Sequence, residues 1–175
     1  GEVVDFQANT IAARVAKKLK AAYRLLHLPD SLSQEALQVL LREKKVKEIL
    51  DLINSAHILL HGIGTAEEMA RHRDVPPDEM QRLRDKGAVG EVFGLFFNAR
   101  GEIVDRVPGL GLYLENLSKK AHHVIVIAGG KHKADAIVAV VGNHQRDLLV
   151  LDEGAARRIL EIYGDEETRD TIVSV

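Results

Sequence analysis

Cysteine is absent from all 175 residues. That excludes disulfides, thiolate nucleophiles and cysteine-ligated zinc, and it fits a cytoplasmic protein. No apolar run approaches the ~18 residues that span a bilayer, so no membrane partner is expected. No block of five or more basic residues occurs, and the formal net charge is −2. Direct DNA binding by this stretch is therefore not expected, because counterion release needs a concentrated Lys/Arg surface. Lys17-Lys18 and Lys44-Lys45 read as solvated helix faces. No signal peptide, internal repeat or low-complexity segment is visible. The chain opens on Gly1 rather than Met, so it is expected to be an engineered piece, a proteolytic fragment, or a chain whose tag left a glycine.

What is present is ordinary for a globular domain: 46% hydrophobic and 29% charged residues,. The length suits one domain with an extension, taken as residues 1–164 and an acidic, then β-branched tail over 165–175. Ala8, Ile11, Ala12, Val15, Ala16 and Leu19 form the apolar face of a first helix,. Tyr23 to Leu28 reads as a strand stopped by Pro29,. Ser31 with Gln34, and Thr65 with Glu68, are capping-box patterns that open helices,. Val46, Ile49, Leu50 and Ile53 mark another helix, and Pro77 can open a further one,. His57 to His61 is a buried-type strand, Val89 to Phe97 a strand or extended segment, and Ile103 to Val107 its hairpin partner. Val124 to Ala128 has the pattern of a central parallel strand buried on both faces,. Leu148 to Leu151 is another strand, followed by a helix that Asp152 caps and Gly164 stops,. Strand–helix alternation of this kind predicts an α/β fold with a parallel sheet. The fold opens on a helix with no strand before it, so an element is expected to precede it.

Open parallel sheets bind ligands at the carboxyl ends of their strands. Three such ends carry glycine here: Gly62-Ile63-Gly64, Gly129-Gly130 and the turn holding Gly154. In Gly129-Gly130-Lys131-His132-Lys133 two ammonium groups stand at a helix start, where the dipole disfavours cations,. A bound phosphate accounts for them; a tight turn with solvated lysines is the plain alternative. The Walker A spacing is absent, which disfavours ATP and GTP. Gly62-Ile63-Gly64 lacks a third glycine in register and is weak as a dinucleotide site,. Arg71, His72 and Arg73 either cover a second phosphate or form a solvated turn,. Glu91, in an apolar, glycine-flanked strand, either meets a sugar hydroxyl or faces outward from a sheet edge,. The eight histidines show no metal-ligand spacing, and neither a metal nor a cofactor is expected,.

Taken in order, Gln7-Ala8-Asn9-Thr10, His61-Gly62-Ile63-Gly64, Ala88 to Gly94, Phe97 to Glu102, Ala128-Gly129-Gly130 with Lys133, and Asp152 to Ala156 resemble the effector domain of SorC/DeoR-type transcriptional regulators. Within that family the resemblance is strongest to regulators of glycolytic genes, and it runs to about Leu160. It implies a Rossmann-like, open, mostly parallel sheet flanked by helices, akin to glucosamine-6-phosphate and ribose-5-phosphate isomerases. It implies a phosphorylated sugar as effector, fructose 1,6-bisphosphate or a related glycolytic intermediate. It further implies a homo-oligomer, dimer or tetramer, that contacts operator DNA through an N-terminal helix-turn-helix module. Lys133 matches the lysine at the phosphate-binding helix start, and Glu91 the acidic sugar-binding position. Gln7 lies near the ligand, and the arginine for the second phosphate falls within Arg71-His72-Arg73. The helix-turn-helix, a first strand with its phosphate-binding loop and a basic loop before Gly1 are not in this sequence, so the ligand site is expected to be incomplete.

Three functions fit these residues: a sugar-phosphate sensor without turnover, a sugar-phosphate isomerase on the same scaffold, and an oligomerisation module with a vestigial pocket. An isomerase needs a tuned general base. Glu91 or Asp152 are its candidates, but no paired acid–base constellation accompanies them. The sensor is the expected function, and no enzyme activity is expected.

Overall fold

A computed structural model describes residues 7–28, 33–73, 75–107, 121–142 and 147–164. The tail over 165–175 lies outside the described residues. Helix α1 (Ala8–Leu19) has the expected apolar stripe, yet only Ala16 is buried while Ile11, Val15 and Leu19 stay exposed. Tyr23 to Leu28, expected as a strand, carries no regular structure. Strand propensity holds only where neighbouring strands supply packing and hydrogen bonds, and Tyr23 is exposed. Helix α2 (Gln34–Leu40) is capped by Ser33, whose hydroxyl accepts the Ala36 amide at 3.2 Å. The cap is thus two residues later than the Ser31–Gln34 pattern predicts; Ser31 lies outside the described residues. Helix α3 (Lys44–Asn54) follows and buries Leu50.

Two sheets form the centre. One is parallel: β1 (Ile58–His61), β6 (His123–Ala128) and β7 (Leu148–Leu151), in the order β1-β6-β7. Their register pairs Leu60 with Ile125 and Ile127 with Val150. The other sheet is antiparallel: β2 (Gly64–Thr65), β3 (Ala88–Val92), β4 (Leu95–Asn98) and β5 (Ile103–Arg106), in sequence order. The bend Gly62-Ile63 joins the sheets, because β1 ends on one side of it and β2 begins on the other.

The expected continuous strand from Val89 to Phe97 is instead a hairpin. Phe93 and Gly94 have φ of 56° and 82°, the two positive values that a type I′ turn requires. A bulky residue seldom adopts this backbone, which is why the run reads as unbroken.

Helix α4 (Ala66–His72) starts as predicted, with Thr65 accepting the Glu68 amide at 3.2 Å. Helix α5 (Pro77–Asp85) opens on its proline. These two helices, through Ala66, Ala70 and Leu83, pack on Phe96 of β4. A 3-10 turn (Lys131–Lys133) leads into helix α6 (Ala134–Gly142), and helix α7 (Glu153–Tyr163) closes the described chain. The main core joins β1 and β6 to α6 and α7 through Leu59, Val124, Val126, Ala128, Ile137 and Ala155. Helix α6 lies directly on β3: a Cβ at Gly90 would stand 3.0 Å from the Ala136 carbonyl oxygen. Glycine at that position and a row of alanines on α6 let the backbones approach. No helix among the described residues is long and apolar enough to cross a membrane.

Candidate functional site

The carboxyl ends of β1, β6 and β7 lie side by side, since the three strands are parallel and adjacent. Each end contributes one piece of a rim. From β6 comes Gly129-Gly130, where Gly130 has φ 97°. From β7 comes Asp152. Its carboxylate accepts the Gly130 amide at 2.7 Å through Oδ2 and the Ala155 amide at 2.7 Å through Oδ1. One side chain therefore caps α7 and fixes the glycine turn. Gly129 is required for the same reason, since a Cβ there would lie 2.7 Å from Asp152 Oδ2. The sequence assigns Asp152 to the cap alone; its second bond, to Gly130, is tertiary and leaves no local signal. It also changes the expected chemistry of the turn: the Gly130 amide is engaged by Asp152 rather than free to face a ligand.

From β1 comes the bend Gly62-Ile63-Gly64. Lys133, half-buried, places Nζ 3.3 Å from the Ile63 carbonyl oxygen. An ammonium has three donors, so this contact orients the group and leaves hydrogens for an anion. Beside it, Glu68 on the first turn of α4 sits 3.1 Å from His132 Nε2. Partial burial pushes the Glu68 carboxyl up. The Thr65 hydroxyl and the charges of Lys133 and His132 outweigh that and hold it below the usual carboxylate range. Glu68 is therefore ionised within the field of Lys133. His61, at the end of β1, packs its ring against Phe93 with centroids 4.8 Å apart. Burial lowers its pKa, partly offset by Nδ1 lying 3.0 Å from the Gly62 carbonyl oxygen.

Glu91 is 2% exposed. It lies on β3, between β2 and β4 rather than at a sheet edge, and its register partner is Gly64. Its partner in charge is Arg73, with Nη1 3.0 Å from Oε1. The two form an ion pair whose N–H does not aim well enough at the oxygen to count as a hydrogen bond. The same carboxylate accepts the Gly94 amide and so braces the Phe93-Gly94 turn. Of the three basic positions on this stretch, Arg73 is the one that folds inward. Arg71 pairs with Glu67 at 3.0 Å on the exposed face of α4. His72 is exposed on the same last turn. Gln7 stands at the N-cap of α1, exposed, its carbonyl accepting the Ile11 amide at 3.0 Å.

Lys133 thus touches the β1–β2 bend at Ile63, and the Arg73–Glu91 pair meets the bend through Gly64, the register partner of Glu91, while Arg71 stays on the surface. Glu68, which the sequence assigns to the capping box alone, contacts His132 of the glycine turn. An open cleft of about 550 Å³ borders the turn, lined by Lys131, His132, Gly154, Arg157, Arg158 and Glu161. Lys133 does not line it. Among the described residues no three His, Asp or Glu side chains gather as a metal site. The groups on either side of the bend are an ammonium oriented by a carbonyl, an inward guanidinium and a buried carboxylate.

Comparison with known proteins agrees with this reading of the fold. The family model described as "Putative sugar-binding domain" matches residues 1–161. The central glycolytic genes regulators of Priestia megaterium and Bacillus subtilis are each 44% identical to the chain, over 93% and 91% of its length. The matched part is 47% of each of those proteins, so the chain spans about half the length of the curated relatives it matches. The crystal structure of a "putative SorC family transcriptional regulator" from Enterococcus faecalis superposes with a TM-score of 0.80 at 43% identity, covering 91% of this chain and 65% of that one. These relatives are named as regulators, not enzymes. The chain belongs to this sugar-binding domain family, whose fold it shares with SorC-family transcriptional regulators.

Proposed function

We propose that this chain is the ligand-sensing domain, residues 1–164, of a cytoplasmic bacterial repressor of glycolytic genes. The effector is a phosphorylated sugar, fructose 1,6-bisphosphate or a close relative. Lys133 meets one phosphate, Arg73 the other, and Glu91 accepts sugar hydroxyls. Binding shifts an equilibrium between subunit arrangements, and so controls how a helix-turn-helix module elsewhere in the longer protein engages DNA. The shift is limited to the ligand's differential affinity for the two arrangements.

The observation that carries this reading is the half-buried Lys133 ammonium at the carboxyl ends of the parallel strands. A lysine placed for stability alone would extend into water, as such side chains usually do. The names and 44% identity of the glycolytic regulators support the choice of effector. Arg73 and Glu91 offset one another's charge at 3.0 Å. An incoming phosphate and hydroxyl replace each as partner of the other, so neither charge is left buried alone.

The test is thermal unfolding of the full-length protein with and without millimolar fructose 1,6-bisphosphate. A ligand that binds only the folded state raises Tm by mass action. The expected result is a dose-dependent rise that Lys133→Ala and Glu91→Ala both blunt. An unchanged curve across the glycolytic phosphosugars contradicts the proposal.

A further inference from the structure

The anion site described above contains an anion of its own. Glu68 points its carboxylate at His132, 3.1 Å away, and its ionisation is favoured by Lys133. The Lys131–Lys133 turn carries cations at the end of β6, so Glu68 is positioned to neutralise part of what would attract a phosphate. Thr65 and Glu68 cap α4 reciprocally: the Thr65 hydroxyl accepts the Glu68 backbone amide, and hydrogen bonds from Thr65 help to hold the Glu68 carboxyl below the usual carboxylate range. Gln can take the same third position of a capping box, so the charge itself is separable from the cap. The neighbouring Glu67 shows the ordinary alternative. It lies on the surface between Arg71 and Arg84, at 3.0 and 2.9 Å.

We infer that Glu68 is an affinity-attenuating residue of the effector site, an intrinsic counter-anion that weakens the hold of the Lys131–Lys133 turn on an anion. This rests on the proposal that an anionic sugar meets Lys133. Glu68 contacts His132 and so adds a negative charge to the turn that carries Lys133. An anion entering the rim is repelled by that carboxylate in proportion to its own charge, and a neutral sugar is not. The attenuation comes from charge beside the turn and not from shape. It acts on any anion that reaches the turn, and it weakens as salt shortens the range of the field.

The experiment is calorimetric titration of the full-length protein with fructose 1,6-bisphosphate and, separately, with inorganic phosphate, at low and high salt. Three proteins are compared: wild type, Glu68→Gln and Glu67→Gln. The second substitution removes the same charge one residue away. The expected result is that Glu68→Gln binds both probes about threefold to tenfold more tightly than wild type at low salt, as expected for removing a unit charge several ångströms from the ligand in a partly wet site. Glu67→Gln changes affinity by less, and the gain of Glu68→Gln shrinks at high salt. Equal or weaker binding by Glu68→Gln, with wild type still binding, overturns the role of Glu68 and leaves the effector site standing. A gain matched by Glu67→Gln also overturns it, since net charge then explains the result. Absence of binding in all three proteins overturns the inference together with the site on which it rests.

Discussion

The two faces of the parallel sheet are built from equally apolar residues and meet opposite fates. On one face Leu59, Val124, Val126 and Ala128 are packed against α6 and α7, and none is more than 8% exposed. On the other, Ile58, Leu60, Ile127, Leu148 and Val150 stand in register across the strands and are 41–58% exposed. Parallel sheets normally have both faces covered, and β6 was expected to be buried on both. The strand is central, as its sequence suggests, but only one face is packed among the described residues. Apolar composition reports that a face is suited to burial; it does not report what arrives to cover it.

The comparison can be broken by substitution on either side. The largest effects belong to the packed regions: Ile137→Ala, at 0% exposure, and Phe96→Ala, at 1%, should each cost about 2–5 kcal/mol in denaturant unfolding,. A loss below about 1 kcal/mol at Ile137 would mean that α6 does not seal the packed face. Next comes Asp152→Ala, which leaves the Gly130 and Ala155 amides without their acceptor. We expect about 1–3 kcal/mol, combining a lost cap and a lost turn bond. Ile127→Ala, on the open face, should cost less than about 1 kcal/mol, since half of the side chain already meets solvent,. A cost equal to that of Ile137→Ala would show that something covers this face in solution.

The smallest effect concerns His61, whose folded pKa lies below its ordinary value because burial disfavours the cation. Between that folded value and about 6.5 the unfolded chain binds more protons than the native one, so stability rises with pH across this window. The contribution is complete above about pH 6.5 and is lost as pH falls toward the folded pKa. The stability of wild type relative to His61→Gln should therefore fall as the pH is lowered. Parallel curves would mean that the imidazole is as well solvated folded as unfolded.

Most of the helices and the parallel strands were legible because their signals are local. Thr65 and Glu68, Pro77, and Asp152 each place a boundary through groups within a few residues of one another. The misreadings have a shared cause. Tyr23 to Leu28 has strand composition with no described strand beside it, and Phe93 takes a backbone conformation that its side chain disfavours, stabilised by Glu91 at the turn and by its contact with His61. The first outcome depends on distant residues, and the second on the distant His61 as well as on the nearby Glu91. The same division runs through the site. Lys133 and Glu91 stand out in sequence because a cation at a helix start and a carboxylate in an apolar strand are locally unfavourable. The choice of Arg73 over Arg71, and the second bond of Asp152, depend on contacts between elements far apart in the chain.

The central claim is that an anionic sugar is held beside the β1–β2 bend by Lys133, and not in the cleft that Lys131 lines. Calorimetric titration of fructose 1,6-bisphosphate into the full-length Lys133→Ala and Lys131→Ala variants separates the two directly. The account predicts that Lys133→Ala weakens binding at least about tenfold, as loss of a charge-assisted hydrogen bond does, while Lys131→Ala stays close to wild type. Undiminished binding by Lys133→Ala, or a loss confined to Lys131→Ala, would contradict it.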